Sequence, residues 1–428
     1  MDMKTRPLEV EEATTPKRTF SSARVALIGL ALGVLAGLVI NVSDQAQLNA
    51  LPGLLEPFGY LWIRALQMIV YPLVISSLMV AILGSSQFNA AGKIGAASLT
   101  SFLIILVSGA LFSVSLGSIF IGFLPDTSNM LIPPASESSQ ALLADRKAIA
   151  FSDWLNSLIP TNPFNALSEG HLLPVIIFTV VFGIAVNHGE EAGRAAIHRL
   201  FSAIFEAMMT LVRWLLVVAP VAIFILALSF SARMGVDFTT ILLSYLVMVC
   251  TLLILATLLL YPITCLLGGV SLRTFAAGVL PAQSVALSTR SSLASLPALM
   301  EGAKDILKLN PSVANLTLPL AVSVFKTNRT ISSTFSLLVL GHIFGLDLGP
   351  VEITTFVVTS MILSFSSVGI PMGGNTMLSL PAYLAAGVPL EGYLLLKTVN
   401  PISDVPKTLV NVTGDMSVAT ILNRFFGR

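Results

Sequence analysis

Charged side chains are scarce in this sequence. Asp, Glu, Lys and Arg make up 11% of the 428 residues, against about a quarter in soluble domains. Hydrophobic residues reach 55% and the mean hydropathy is +0.89. That excludes an ordinary soluble globule and leaves an all-α polytopic membrane protein embedded in a lipid bilayer. Net charge is missing too: it is +1, so no bulk attraction draws the chain to nucleic acid, and none is expected as a partner. Cysteine is nearly absent. Cys250 and Cys265 fall in one apolar segment, which excludes a disulfide framework. Four histidines with no HExxH or CxxC spacing indicate no metal site and no cofactor.

What is present is a series of apolar runs. The first two dozen residues are polar, with Glu9, Glu11, Glu12, Lys17, Arg18 and Arg24 and no convincing cleavage site, so residues 25–43 are expected to be a retained membrane helix. Lys93 and the C-terminal Arg424 and Arg428 join those basic residues in placing both termini in the cytoplasm. Further spans are expected over 61–83, 94–125, 214–232 and 238–272, with a short broken span beginning at 172–186. Residues 126–170 read as an external loop with short helical pieces, and Gly29, Gly33 and Gly37 form a small-residue stripe suited to close helix packing.

Two segments are too long to cross once and carry breakers in their middles. Residues 353–390 hold "SFSSVGIPMGGN" (364–375), and residues 273–301 hold "STRSSLASLP" (288–297). Each half is shorter than the roughly 17–25 residues a crossing needs. Re-entrant hairpins fit, and broken backbone at membrane depth is tolerated only inside protein or along a cavity. Two interrupted segments in comparable halves point to a transporter's binding site.

Ionisable groups in a bilayer cost about 2.5–3.5 kcal/mol each, so they must pair, meet water or bind something. In "PISDVPKTLVNVTGDMSVAT" (401–420), Asp404, Lys407, Thr408, Asn411 and Asp415 fall on one stripe of a helix. One reading is a structural Asp–Lys pair. The other is a polar wall facing the hairpin tips, where Asp404 holds an ammonium, Lys407 and Asn411 hold carboxylates, and Asp415 holds a cation or proton. Pro406 is expected to bend this helix and free a carbonyl. In "LPLAVSVFKTNRTISSTFSLLVLGHIFG" (318–345), Lys326 and Arg329 interrupt an otherwise apolar helix. They snorkel, pair with Asp404 or Asp415, or serve a site. His342 reads as packing, and the sequons at Asn315, Asn328 and Asn411 are discarded because they lie in membrane helices.

At "TLVNVTGDMSVATI" the chain resembles the dicarboxylate/amino acid:cation symporter family, the glutamate transporter homologues. Further ordered matches are "LQMIVYPLVISSL" (66–78), "IPTNPFNALSEGHLLPVIIF" (159–178), "TRSSLASLP" (289–297) and "SVGIPMGG" (367–374). The resemblance implies eight transmembrane helices and two re-entrant hairpins (about 274–303 and 353–390) with inverted repeats, assembled as a homotrimer. It implies a cytoplasmic tail (1–24), a scaffold and trimerisation domain (25–90 and 150–235), and a transport domain (91–125 and 236–425) that moves as an elevator. The setting implied is a bacterial inner membrane.

Residue by residue, it implies that Ser291 and Ser292 at the first tip meet the solute's α-carboxylate and that Ile370 and Gly374 belong to the gating second tip. Asp404 would bind an amino group, Asn411 the α-carboxylate, and Thr408 would line the pocket. Asp415 matches a sodium ligand, and Ser323, Ser364 and Ser367 contribute to another sodium site. Sodium or a proton is the coupling ion implied.

The departures from the family pattern carry a hypothesis of their own. Lys407 stands where the family has an Arg that grips a distal carboxylate, keeping the charge without the bidentate fork. Asn400 stands where an Asp is common. Phe325-Lys326-Thr327-Asn328-Arg329 replaces an Asn-Met-Asp-Gly-Thr stretch, so a sodium-ligating aspartate is gone and two cations are added. Lys326 is therefore expected to stand in for bound sodium, and Arg329 to reach an anionic solute. The leading expectation is a secondary carrier of an acidic amino acid or dicarboxylate, an anionic or zwitterionic small solute, with reduced sodium dependence. A neutral amino-acid carrier or uncoupled exchanger, an intramembrane hydrolase with a Ser/Lys or Asp pair, and a binding protein or sensor remain as alternatives.

Overall fold

The structure is a computed structural model that describes residues 20–43, 46–84, 92–124, 156, 158–169, 171–365 and 374–427. Among the described residues there is no strand, and six helical stretches are long and apolar enough to cross a membrane. In chain order the helices are α1 (Phe20–Val42), α2 (Ala46–Gly84), α3 (Gly92–Ile121), α4 (Pro163–Ser168), α5 (Leu172–Asn187), α6 (Glu191–Met234) and α7 (Val236–Gly268). They continue with α8 (Leu272–Thr289), α9 (Leu296–Glu301), α10 (Pro311–Val324), α11 (Thr327–Phe344), α12 (Pro350–Phe365), α13 (Gly374–Ala385), α14 (Leu390–Thr398) and α15 (Asn400–Phe426).

Two groups of helices pack most extensively among themselves. In the first, α1, α2, α5 and α6 lie together. The glycine stripe explains the α1–α6 contact. A Cβ on Gly29, Gly33 or Gly37 would lie 2.5, 2.5 or 2.6 Å from the carbonyl oxygens of Pro220, Phe224 and Leu228. Only hydrogen on these Cα atoms lets the two backbones touch, the membrane substitute for a hydrophobic driving force. In the second group, α3, α7, α8, α10 and α11 surround α15. The α6–α7 corner, α14 against α6, and α12 and α13 against α2 and α5 join the groups.

Several expected boundaries move. The span expected at 214–232 is the C-terminal half of α6, one helix of 44 residues. It is hidden in the sequence because Arg194, Arg199, Glu206 and Arg213 interrupt the hydropathy of its first half without breaking its backbone. The span expected at 61–83 begins earlier, at Ala46, and runs through Pro52 and Pro57. The run expected to reach 272 stops at Gly268, because Gly269 adopts the left-handed conformation (φ 70°) and Ser271 caps the next helix by accepting from the Thr274 N–H.

The helical pair expected around 288–297 forms. After α8, Arg290 turns the chain in the left-handed region (φ 54°), and α9 and a π-turn over Gly302–Ile306 pack back along α8. The limbs meet backbone to backbone, for a Cβ on Gly302 would lie 2.0 Å from the Gly278 carbonyl oxygen. The second pair is α12 and α13, which also contact one another. Its tip, including the expected Ser367 and Ile370, lies outside the described residues.

The largest correction concerns 318–345. It is two helices, not one. Phe325 (φ −101°, ψ 125°) and Lys326 (φ −131°, ψ 87°) are extended between α10 and α11. The Phe325 ring stacks on Phe102 of α3 with centroids 4.4 Å apart.

Candidate functional site

The last helix α15 carries the five-residue stripe as expected, but the stripe divides into two stations. At its start, the Lys407 ammonium donates to Asn400 Oδ1 (2.8 Å) and Asp404 Oδ1 (3.3 Å). The Lys407 side chain is 12% exposed and the Asp404 side chain 49%. The Thr408 hydroxyl donates to the Asp404 carbonyl (2.8 Å), one turn across Pro406, whose missing N–H leaves a helix carbonyl unclaimed. The Asp–Lys pair weighed from the sequence is therefore formed, with its acid facing an accessible space.

The first hairpin tip reaches this station. Arg290 Nη1 donates to the Pro401 carbonyl (3.3 Å). Ser291 closes the tip by accepting from the Ala294 N–H (3.2 Å) and, at its carbonyl, from the Ser295 hydroxyl (3.0 Å). Ser292 is buried. Ser291 and Ser292 thus sit on the tip that bonds the first turn of α15. Gly374 opens α13, directly after the undescribed second tip.

The second station surrounds the helix break. Asn411 Oδ1 accepts from the Asn328 backbone N–H (2.9 Å), one of the orphan donors at the start of α11. Asp415 is fully buried, and neither of its carboxylate oxygens has a hydrogen-bond partner among the described residues. Thr327 Oγ1 is also without a partner and lies 2.5 Å from where a Cβ on Gly414 would be. Lys326 donates to the Val322 carbonyl (2.7 Å), placing a cation on the C-terminal end of α10. It is the charged group that acts on Asp415. Arg329, in the first turn of α11, is 6% exposed and its Nη1 is unpartnered among the described residues. Ser323 is partly buried on α10 and Ser364 fully buried on α12. A carboxylate with no protein donor, beside hydroxyls and an unwound backbone, suits a small cation or proton; the tethered ammonium of Lys326 supplies charge to the same place.

Four participants were not singled out from the sequence. Arg290 was read only as part of a tip. Gln283 bridges the Thr413 hydroxyl (2.8 Å) and the Tyr261 hydroxyl (3.1 Å), tying α8 to α15 and α7. Lys397 of α14 lies 5.2 Å from the ring centroids of both Tyr383 and Tyr393. Tyr245 meets the Ser336 hydroxyl (2.8 Å) in the core. Only Lys397 had a signal: it is a lone cation after the apolar run Tyr393–Leu396, and the insertion penalty used for Lys326 applies equally to it.

Among the described residues no group of three His, Cys, Asp or Glu side chains gathers as for a transition-metal site. Residues 24–425 match the sodium:dicarboxylate symporter family. The chain belongs to that family. A proton/sodium-glutamate symport protein of Bacillus subtilis is 28% identical over 412 residues, covering 95% of this chain and 93% of that protein. The proton/glutamate-aspartate symporter of Escherichia coli is 26% identical over 408 residues, with the same coverage. C4-dicarboxylate transport protein 1 of Pseudomonas aeruginosa is 28% identical over 414 residues, covering 92% and 86%. As a member of the symporter family the chain is an integral membrane transporter and not an enzyme, so the hydrolase reading is set aside.

Proposed function

We propose that this symporter-family protein is a secondary active transporter of an acidic amino acid or dicarboxylate whose coupling does not depend absolutely on sodium. The observation that carries the coupling part is Asp415, a buried carboxylate without a protein donor, next to a helix break whose Lys326 ammonium bonds the Val322 carbonyl and acts on Asp415 through space. The family's names for its members speak for an acidic solute and for a proton or sodium as the coupling ion. The proposed solute space lies between the first tip and the α15 stripe, with Asp404, Thr408, Asn411, Ser291 and Ser292 on its walls. We assign α1, α2, α5 and α6 to a trimeric scaffold and the group around α15 to a transport domain that carries the site across an inner membrane. The separate packing of the two groups supports that division.

Uptake into proteoliposomes decides the coupling. With sodium replaced by choline, accumulation of aspartate, glutamate or succinate is expected to persist; an absolute sodium requirement overturns this part of the proposal. A second reading, a neutral amino-acid carrier, is favoured by one observation: Lys407 is already held by Asp404 and Asn400. The two readings separate at Arg329. For an acidic solute, Arg329→Thr is expected to weaken binding about 10-fold or more, the scale of one charge-assisted hydrogen bond of about 1.5–3 kcal/mol, while neutral solutes change little. Equal loss for both classes counts against the acidic reading.

A further inference from the structure

The described charges around the site do not balance. Arg329 and Lys407 each act electrostatically on Lys397, and Asp404 is the acid that acts on it. Lys326 and Asp415 extend the cluster beyond Arg329. That makes four cations against two acids in the cluster; Glu391, at the other end of α14, acts on Tyr60 of α2. Lys407 and Asp404 already satisfy one another, and Lys326 acts on Asp415. The excess positive charge therefore resides on Arg329 and Lys397.

These two cations share one aromatic pair. The rings of Tyr383 and Tyr393 are 4.6 Å apart, Lys397 stands 5.2 Å from each, and Arg329 acts on both. The ring faces stabilise the Lys397 ammonium, but they supply no negative charge. Nor are the phenols free to turn to another partner. The Tyr383 hydroxyl donates to the Ser333 carbonyl (2.9 Å) and the Tyr393 hydroxyl meets the Ser379 hydroxyl (2.9 Å). Arg329 sits in the first turn of α11, where the helix dipole adds to the positive potential. An uncompensated pair of charges held in this way is unstable by itself and is suited to receive an anion.

We infer that Arg329 and Lys397, gathered around the Tyr383–Tyr393 pair, form an anion subsite that takes a second carboxylate of the transported solute. The inference rests on the transporter reading and sharpens it. The solute carries two carboxylates, and the one farther from the first hairpin tip is recognised by residues of α11 and α14 and not by Lys407.

The test uses the purified full-length protein with succinate and monomethyl succinate as probes, which differ by one negative charge. Wild type is expected to bind succinate at least 10-fold more tightly than the ester. Lys397→Met should bring the two affinities within about 2-fold of each other, while Lys397→Arg, which keeps the charge, should retain most of the preference. Without any ligand, Lys397→Met is expected to raise the unfolding temperature, since it removes a charge that lacks an acid partner. An unchanged preference in Lys397→Met, or a lowered unfolding temperature with no change in preference, makes Lys397 a structural prop and overturns the inference. So does thermal stabilisation by chloride with none by succinate. If wild type binds succinate but does not distinguish it from the ester, the subsite falls and the transporter reading stands. If wild type binds neither these probes nor any acidic amino acid, both fall.

Discussion

Replacing Lys326 with Met is expected to abolish uptake in sodium-free medium and to destabilise the protein strongly. Asp415 is fully buried with both oxygens unpartnered among the described residues, and Lys326 is the cation that acts on it. Removing one partner of a contacting buried ion pair costs about 3–5 kcal/mol; Lys326 acts on Asp415 without touching it, so that range is the ceiling for this variant. The Val322 carbonyl also loses its donor, which adds to the loss at the end of α10. Two further arms make the origin of the effect legible. Lys326→Met with Asp415→Asn should recover most of the stability, since no charge is then stranded; a double variant as unstable as the single would show that the two residues are not coupled. Sodium added to the single variant should restore part of the uptake, because a diffusible cation regains access to Asp415. Thermal unfolding of the purified protein and proteoliposome uptake read the two effects separately.

The contrast between these residues and the rest of the chain shows what a sequence exposes. The stripe from Asp404 to Asp415 was legible because helical spacing is a local property, and α15 keeps it over its length. The glycine stripe of α1 was legible for the same reason, although its partner, the ridge of Pro220, Phe224 and Leu228, was not. The end of α7 could have been read from Gly268-Gly269 followed by Ser271. By contrast, no local pattern announces the break at Phe325-Lys326. It is held by the ring of Phe102, more than two hundred residues earlier, and by the side chain of Asn411, which replaces a backbone acceptor. Lys397 had the signal of an isolated charge in an apolar stretch, but its meaning depends on Tyr383, Tyr393 and Arg329 being folded around it.

That break is also where the second large effect is expected, through Asn411→Leu. The substitution keeps approximate volume and removes the acceptor of the Asn328 N–H, a bond of 2.9 Å in a largely buried setting. A buried donor left without a partner costs about 1–3 kcal/mol, and the donor here belongs to the first turn of the helix that carries Arg329. Uptake of an acidic solute should therefore fall on the order of 5- to 150-fold, the range those energies correspond to, with a lowered unfolding temperature. Asn411→Asp separates support from solute binding. It keeps an oxygen for the Asn328 N–H, so the unfolding temperature should remain near that of wild type, but it sets a second carboxylate one turn from Asp415 and should still reduce uptake of anions. If the Asp variant transports normally while the Leu variant does not, Asn411 acts only as the brace of the break. If both transport normally, the break is held by Phe325 against Phe102 alone, and the α15 stripe does not control it.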